Sequence, residues 1–352
     1  MSNLSARYAT MPIGTPQRAP EMAHKPQMVI TGSSRIEDYE ELRELLPDAK
    51  IGVVLELGLV NLSIPSDRED DSIRAYAATE ARRLFGGIED QPSLWGLHPI
   101  NLRRTARVDE YLFNLGTAVR ERTKDIQQYA DFVLIDSAVW TMPWLRRHFG
   151  IEYEGADLDA WINDRCEAFR DGFRDVSAPS IVLNGCGPGD SIALRALDDI
   201  ARGYKLEGFY TSRESRRGTG MAKAKHMLEP AIKYLEQPGK EGEIGLIFGA
   251  QPLTTTPLDA YMHGASIVYR ALQVQGMVTR KPVYLLGDAC LDDATERFWP
   301  GGDARRVLDD VPKSARWRGV EGMETTDIIC EVTGHAGKYE AFIGPFGLGG
   351  EG

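Results

Sequence analysis

Short aliphatic runs alternate with helix-period segments along most of this sequence, and that alternation is the tightest constraint on its fold. KIGVVLELGLV (50–60), DFVLIDSAV (131–139), APSIVLN (178–184), KLEGFYTS (205–212), GEIGLIFGA (242–250) and KPVYLLGDA (281–289) all have strand length. Several are apolar at consecutive positions, so both faces of the strand are to be buried, as in a parallel sheet flanked by helices. Between them lie amphipathic stretches: IEDYEELRELL, RVDEYLFNLGTAVRERTKDIQQYA, SIALRALDDIARGY, GMAKAKHMLEPAIKYLEQPG and PLDAYMHGASIVYRALQVQG. TMPWLRRHFGIEYEGADLDAWINDRCEAFRDGFRDV also reads as helical, with its aromatic positions facing inward. The pattern predicts an α/β fold, a mostly parallel sheet with helices on both faces, built as one sheet or as two α/β halves. The boundaries read from it are an extended N-terminal arm over 1–26, an N-terminal half over 27–178 and a C-terminal half over 179–352.

At 352 residues with 42% hydrophobic and 26% charged side chains, the chain is long enough to bury a core without covalent staples. Cys166, Cys186, Cys290 and Cys330 make no CxxC pair and the six histidines make no HxH or HExxH cluster, so no metal site is predicted and the cysteines read as buried thiols. A net charge of -11 argues against binding to nucleic acid or to an anionic membrane surface. No apolar run reaches the length of a membrane span, and the N-terminus lacks the apolar stretch of a secretory signal, so a cytoplasmic protein is expected.

Three clusters carry candidate chemistry. The first is the glycine loop of Gly185, Cys186, Gly187, Gly189 and Asp190, which follows IVLN and precedes a helix-period segment. Glycines there let a ligand approach the backbone, and the helix start offers free N–H groups to an anion. A thiol beside such N–H groups, Cys186, would be more acidic than usual. The second is the cationic loop of Arg213, Arg216, Arg217 and Lys223, suited to holding a carboxylate or phosphate. The third is Asp259 with His263, four residues apart in a helix-period segment, where a carboxylate could orient an imidazole as general base. Asp136, at the end of FVLID, is a further candidate base. Glu56 and Asp288 also stand where strands meet loops, and Asp292 and Asp293 could join Asp288 on a magnesium ion.

The segment GCGPGD, preceded by IVLN and followed by a helix, resembles the glycine loop of S-adenosylmethionine-dependent methyltransferases, both the Rossmann-like and the tetrapyrrole-methylase-like kinds. The latter likeness extends to Gly249-Ala250-Gln251-Pro252 and the threonines after it. The resemblance implies an adenosylated cofactor on the glycine loop and an acidic or anionic small molecule as methyl acceptor, held by the arginines. Two other readings stand beside it: a cofactor-independent lyase, isomerase or hydrolase acting on a small carboxylate, and a non-catalytic ligand-binding or assembly protein. The missing GKS or GKT ending excludes a P-loop, and the missing GxSxG argues against a serine hydrolase. A homo-oligomer held through the arm and the tail GPFGLGGEG is expected.

Overall fold

The computed structural model describes residues 8–10, 26–64, 72–136 except 95, 102, 104, 122 and 123, 143–174, 180–184, 196, 197, 199–211, 244–251, 258–287 except 279, 307, 310–319 and 328–343. Within them the chain forms β1 (Tyr8–Thr10), β2 (Met28–Thr31), α1 (Ile36–Leu45), β3 (Lys50–Glu56), β4 (Leu59–Val60), α2 (Ile73–Leu84), β5 (His98–Pro99) and α3 (Thr105–Glu121). There follow β6 (Phe132–Asp136), α4 (Pro143–Phe149), α5 (Gly155–Phe173), β7 (Ser180–Asn184), β8 (Ala201–Thr211), β9 (Gly245–Gln251), α6 (Leu258–Val278), β10 (Val283–Gly287) and β11 to β13 (Pro312–Gly319, Ile328–Gly334, Lys338–Ile343).

The fold is α/β with a mostly parallel sheet. Its parallel strands pair as β3-β6-β7 and as β8-β9-β10-β1, with β1 also pairing with β2. Tyr8–Thr10, inside the segment expected to be an arm, is instead a strand of this chain's own sheet, pairing with β10 and with β2. Among the described residues, no helix is long and apolar enough to cross a membrane. Backbone contacts divide the chain into two compact units, Ile30–Gly185 with Ser191–Arg202, and Met1–Val29 with Cys186–Asp190 and Gly203–Gly352.

In the first unit β3, β6 and β7 lie side by side, with Val53↔Val133↔Ile181 and Val54↔Leu134↔Val182 in register and all six side chains buried. A single carboxylate ties the amino ends of two of these strands. Asp131 Oδ2 accepts from Ile51 N at 2.8 Å and from Arg43 Nη2 at 2.8 Å, and Lys50 Nζ lies 3.6 Å from its other oxygen. Helices α3 and α5 approach closely because each has glycine at the contact: a Cβ on Gly116 would stand 2.2 Å from the Phe169 carbonyl oxygen, and one on Gly172 2.1 Å from that of Phe113. Helix α2 is capped by Ser72, whose Oγ accepts from Ala75 N at 3.2 Å, and the turn after it uses Gly87 at φ +80°.

The stretch 141–176, read as helical and amphipathic, holds two helices among its described residues. Gly150, at φ +60°, ends α4 in the left-handed conformation, with Ile151 N donating to the Arg146 carbonyl at 2.8 Å. Glu154 then enters α5 through extended backbone. A glycine six residues after Trp144, followed by the β-branched and aromatic Ile-Glu-Tyr, is the signal for that break.

In the second unit β8, β9, β10 and β1 form the parallel part, and strand β8 already begins at Ala201, so ARGY belongs to it and not to the preceding helix-period segment. Helix α6 packs on an antiparallel sheet, β11-β12-β13, of which only the β12 segment reads as a strand in sequence. Arg270 of α6 is buried and donates from Nε to the Val307 carbonyl at 2.7 Å. The β12–β13 turn wraps Asp310, whose carboxylate accepts from His335 N at 2.8 Å and from Ala336 N at 2.9 Å. Cys166 and Cys330 are buried, as expected, and burial pushes the Cys330 thiol far above the usual range. Cys186 and Cys290 lie outside the described residues.

Candidate functional site at the carboxyl ends of three strands

In parallel α/β proteins the chemistry collects where strands end and loops begin. In the first unit those ends are polar, although the strand interiors are not. Residues two apart along a strand share a face, so Gly52, Val54 and Glu56 form one row on β3, Phe132, Leu134 and Asp136 one on β6, and Ser180, Val182 and Asn184 one on β7. The first layer is tightly fitted: the Phe132 ring occupies the space a Cβ on Gly52 would need, 2.2 Å away. The second is aliphatic. The third is Glu56, Asp136 and Asn184, so the register that packs the core also aligns two carboxylates and an amide on one face.

Glu56 and Asp136 are direct register partners, and the ladder continues one step past them through Leu57 N donating to the Asp136 carbonyl at 3.0 Å. Adjacent strands lie about 5 Å apart, so the two carboxyl groups are neighbours. Asn184, buried, donates from Nδ2 to Asp136 Oδ2 at 2.7 Å. That bond fixes the orientation of the Asp136 carboxylate, while Glu56 and Asp136 are both only partly covered.

Just beyond Glu56 the chain forms β4, which pairs with β5 so that Val60 faces His98, and Ile100 N donates to the Gly58 carbonyl at 3.2 Å. The ring of His98 is half-buried, and among the described residues its shielded Nδ1 has no hydrogen-bond partner. The end of β2 is different in kind. Thr31 to Ser34 are held by hydrogen bonds: Tyr39 OH to the Ser33 carbonyl at 2.7 Å, Ser72 Oγ to the Ser34 carbonyl at 3.0 Å, and the Arg74 guanidinium to the Gly32 carbonyl. Burial, with the nearby Asp125 carboxylate adding to it, drives the Tyr39 phenol well above its ordinary range. These bonds hold the rim in place.

Of the residues singled out in the sequence, the structure brings together Asp136 and Glu56. Asn184 and His98 were not chosen. Asn184 stood in the quoted IVLN run as an ordinary strand end, and His98 in an aperiodic loop; a polar residue closing an aliphatic strand is the signal common to Glu56, Asp136 and Asn184. Asp259 and His263 both lie in α6, four residues apart, and their side chains fall outside the description. Gly185, Cys186, Gly187, Gly189 and Asp190 lie outside the described residues, as do Arg213, Arg216, Arg217 and Lys223 and the trio Asp288, Asp292 and Asp293. Among the described residues no group of three or more His, Cys, Asp or Glu is placed to hold a metal ion.

No family model matches the sequence, and no curated protein matches it. Solved structures do match in fold. A GH27 β-L-arabinopyranosidase from Geobacillus stearothermophilus is 11% identical, with 96% of this chain and 83% of that one covered at a TM-score of 0.45. An alpha-amylase from H. orenii is 10% identical, covering 96% and 89% at 0.44. The glycoside hydrolase domain of PelA from Pseudomonas aeruginosa is 12% identical, covering 82% and 96% at 0.42.

At these values the likeness is one of chain course and assigns no substrate. The expectation of a transferase that methylates an anionic acceptor with S-adenosylmethionine is nevertheless corrected. The structures matched are glycoside hydrolases.

Proposed function

We propose that the protein is a hydrolase whose chemistry is carried by Glu56 and Asp136, and that the bond it cleaves is glycosidic. The observation that carries this reading is the register pairing of the two carboxylates at the carboxyl ends of β3 and β6, with Asn184 bonded to one of them. An acetal is cleaved by an acid that protonates the leaving oxygen and an anion on the opposite side of the reacting carbon, and two carboxyl groups suffice for both tasks.

In this reading Asp136, oriented by Asn184, is the anion, and Glu56 is the proton donor. The C–O bond to the leaving group breaks as the Glu56 proton reaches that oxygen. Asp136 Oδ1 bonds to the anomeric carbon, and water, deprotonated by Glu56, then displaces the carboxylate. The two residues stand on neighbouring strands whose backbones are about 5 Å apart, a juxtaposition that suits this double displacement rather than direct attack by water held between well-separated carboxyl groups.

The test is a panel of 4-methylumbelliferyl glycosides assayed with the wild-type chain, Glu56→Gln and Asp136→Asn. Turnover that falls by at least about 10³-fold in both variants, with their melting temperatures unchanged, is expected. The product should keep the anomeric configuration of the substrate when followed by NMR. Turnover that survives in either variant overturns the assignment, and inversion at the anomeric carbon overturns the double displacement.

A further inference from the structure

We propose that a pocket at the N-terminal ends of α3 and α5, separate from the strand-end carboxylates, binds a small hydroxylated ring that carries a carboxylate. The pocket measures about 420 Å³, and Arg103, Thr105, Gly150, Glu152, Tyr153 and Trp161 line it. Its aromatic floor is held from below. Tyr153 stacks on Trp161 with ring centroids 6.0 Å apart and planes at 24°. Trp161 is buried, and the Arg165 guanidinium lies 5.8 Å from its ring centroid while pairing with Asp109. The Tyr153 carbonyl accepts from Arg146 Nη1 at 3.0 Å. Tyr153 is nonetheless 48% exposed, so a locked ring is open to solvent. A rigid, open aromatic face next to a cavity is a stacking surface obtained at little entropic cost.

Arg103 supplies the charge. Its guanidinium lies against Gly150, where a Cβ would be 3.2 Å from both Cζ and Nη2. Gly150 thus serves twice, closing α4 at φ +60° and leaving room for this side chain. Among the described residues the Arg103 guanidinium makes no hydrogen bond and no ion pair, although Glu152 also lines the pocket. A positioned guanidinium with no counter-charge matches a carboxylate in two-pronged geometry. Glu152 accepts hydrogen bonds and repels a second anion, so the ligand must present donors, such as hydroxyl groups, on that side. A ring with a carboxylate for Arg103, a face for Tyr153 and a hydroxyl for Glu152 satisfies all three. A hydroxylated aromatic acid and a uronic acid share this chemistry.

Isothermal titration of the full chain with 4-hydroxybenzoate and with glucuronate distinguishes the two sources, with 4-hydroxybenzyl alcohol and glucose as uncharged counterparts. At least one acid should bind saturably with Kd on the order of 1 mM, at least tenfold more tightly than its counterpart. That binding should weaken at least tenfold in Arg103→Met and in Tyr153→Leu, and remain unchanged in Glu56→Gln. Preference for the aromatic acid or for the sugar acid names the source. Both substituted side chains are partly or wholly solvent-facing, and a thermal melt of each variant confirms that the fold is retained. The proposal is overturned if neither acid saturates the protein by about 50 mM, roughly fifty times that Kd, if the uncharged rings bind equally well, or if both variants bind as the wild type does.

Discussion

Asn184 Nδ2 donates to Asp136 Oδ2 at 2.7 Å, so the last residue of β7 orients the last residue of β6. Asn184→Ala should leave the Asp136 carboxylate unsupported and lower kcat by about 10-fold to 10²-fold with a smaller change in KM, because a misplaced reacting group costs rate more than binding. Asn184→Asp is the sharper probe. It places a second carboxyl group where the amide was, and two adjacent carboxylates resist ionising together. The acid limb of the pH–rate profile should therefore move to higher pH in Asn184→Asp, and less far in Asn184→Ala, which only removes a hydrogen bond to the ionised form. An unmoved limb in Asn184→Asp would remove Asn184 from any role in positioning Asp136.

The two aspartates that bracket β6 have opposite duties. Asp131, at its amino end, is bonded to Ile51 N and paired with Arg43 and Lys50, whereas Asp136 ends the strand among polar neighbours. Asp131→Ala leaves a strand N–H without its acceptor and takes the carboxylate from Arg43, which keeps its bonds to the Ala49 and Tyr129 carbonyls; the change should cost about 1–3 kcal/mol. In a chain of this size that corresponds to a fall in Tm of a few degrees, roughly 1–2 °C per kcal/mol. Activity per folded molecule should not change. Urea unfolding and the assay on the same preparation separate the two effects.

How much of this was legible in the sequence follows from where the information is local. A buried parallel strand announces itself as an aliphatic run, so β3, β6, β7, β9 and β10 stand where KIGVVLE, FVLID, SIVLN, GLIFGAQ and VYLLG predict them. The antiparallel strands Pro312–Gly319 and Lys338–Ile343 mix charged and apolar residues because one side meets α6 and the other does not. Neither PKSARWRG nor KYEAFI resembles the buried strands. The site was half legible. Asp136 and Glu56 can each be picked out as a carboxylate ending a strand, but that they are register partners is a fact about pairing between segments eighty residues apart, which no local pattern contains. The pairing of Tyr8–Thr10 with β10 is non-local in the same way.

Glycine at two helix positions is what lets α3 and α5 touch. A Cβ on Gly116 would meet the Phe169 carbonyl oxygen at 2.2 Å, and one on Gly172 the Phe113 carbonyl oxygen at 2.1 Å, both backbone atoms that cannot turn aside. On an isolated helix alanine at either position would stabilise by about 1 kcal/mol. Here Gly116→Ala and Gly172→Ala should each destabilise by about 1–3 kcal/mol, the usual penalty for overpacking. The double variant should cost less than the sum, because the first substitution already separates the helices. A stabilised single variant in a denaturant titration would mean that the helices tolerate a wider spacing.

Acid should loosen the antiparallel sheet through Glu331. Lys338 Nζ stands 3.0 Å from one of its oxygens and Arg318 Nη2 3.0 Å from the other. The hydrogen bond from Lys338, aided by the Arg318 charge, holds the Glu331 carboxyl below its ordinary value of 4.5. A carboxyl whose pKa is lower in the folded chain than in the unfolded one stabilises the fold fully above the unfolded value. That contribution is lost as pH falls through the folded value. Glu331→Gln keeps the shape and removes the titration. The wild type should therefore be the more stable of the two in urea at pH 6, and its advantage should shrink as pH is lowered below about 4.5 and vanish once Glu331 is protonated in both states. At 1 M NaCl the advantage at pH 6 should also diminish, since the pair is at the surface and screened by salt. A difference between the two proteins that stays constant from pH 6 to pH 3 would show that Glu331 contributes through packing and not through charge.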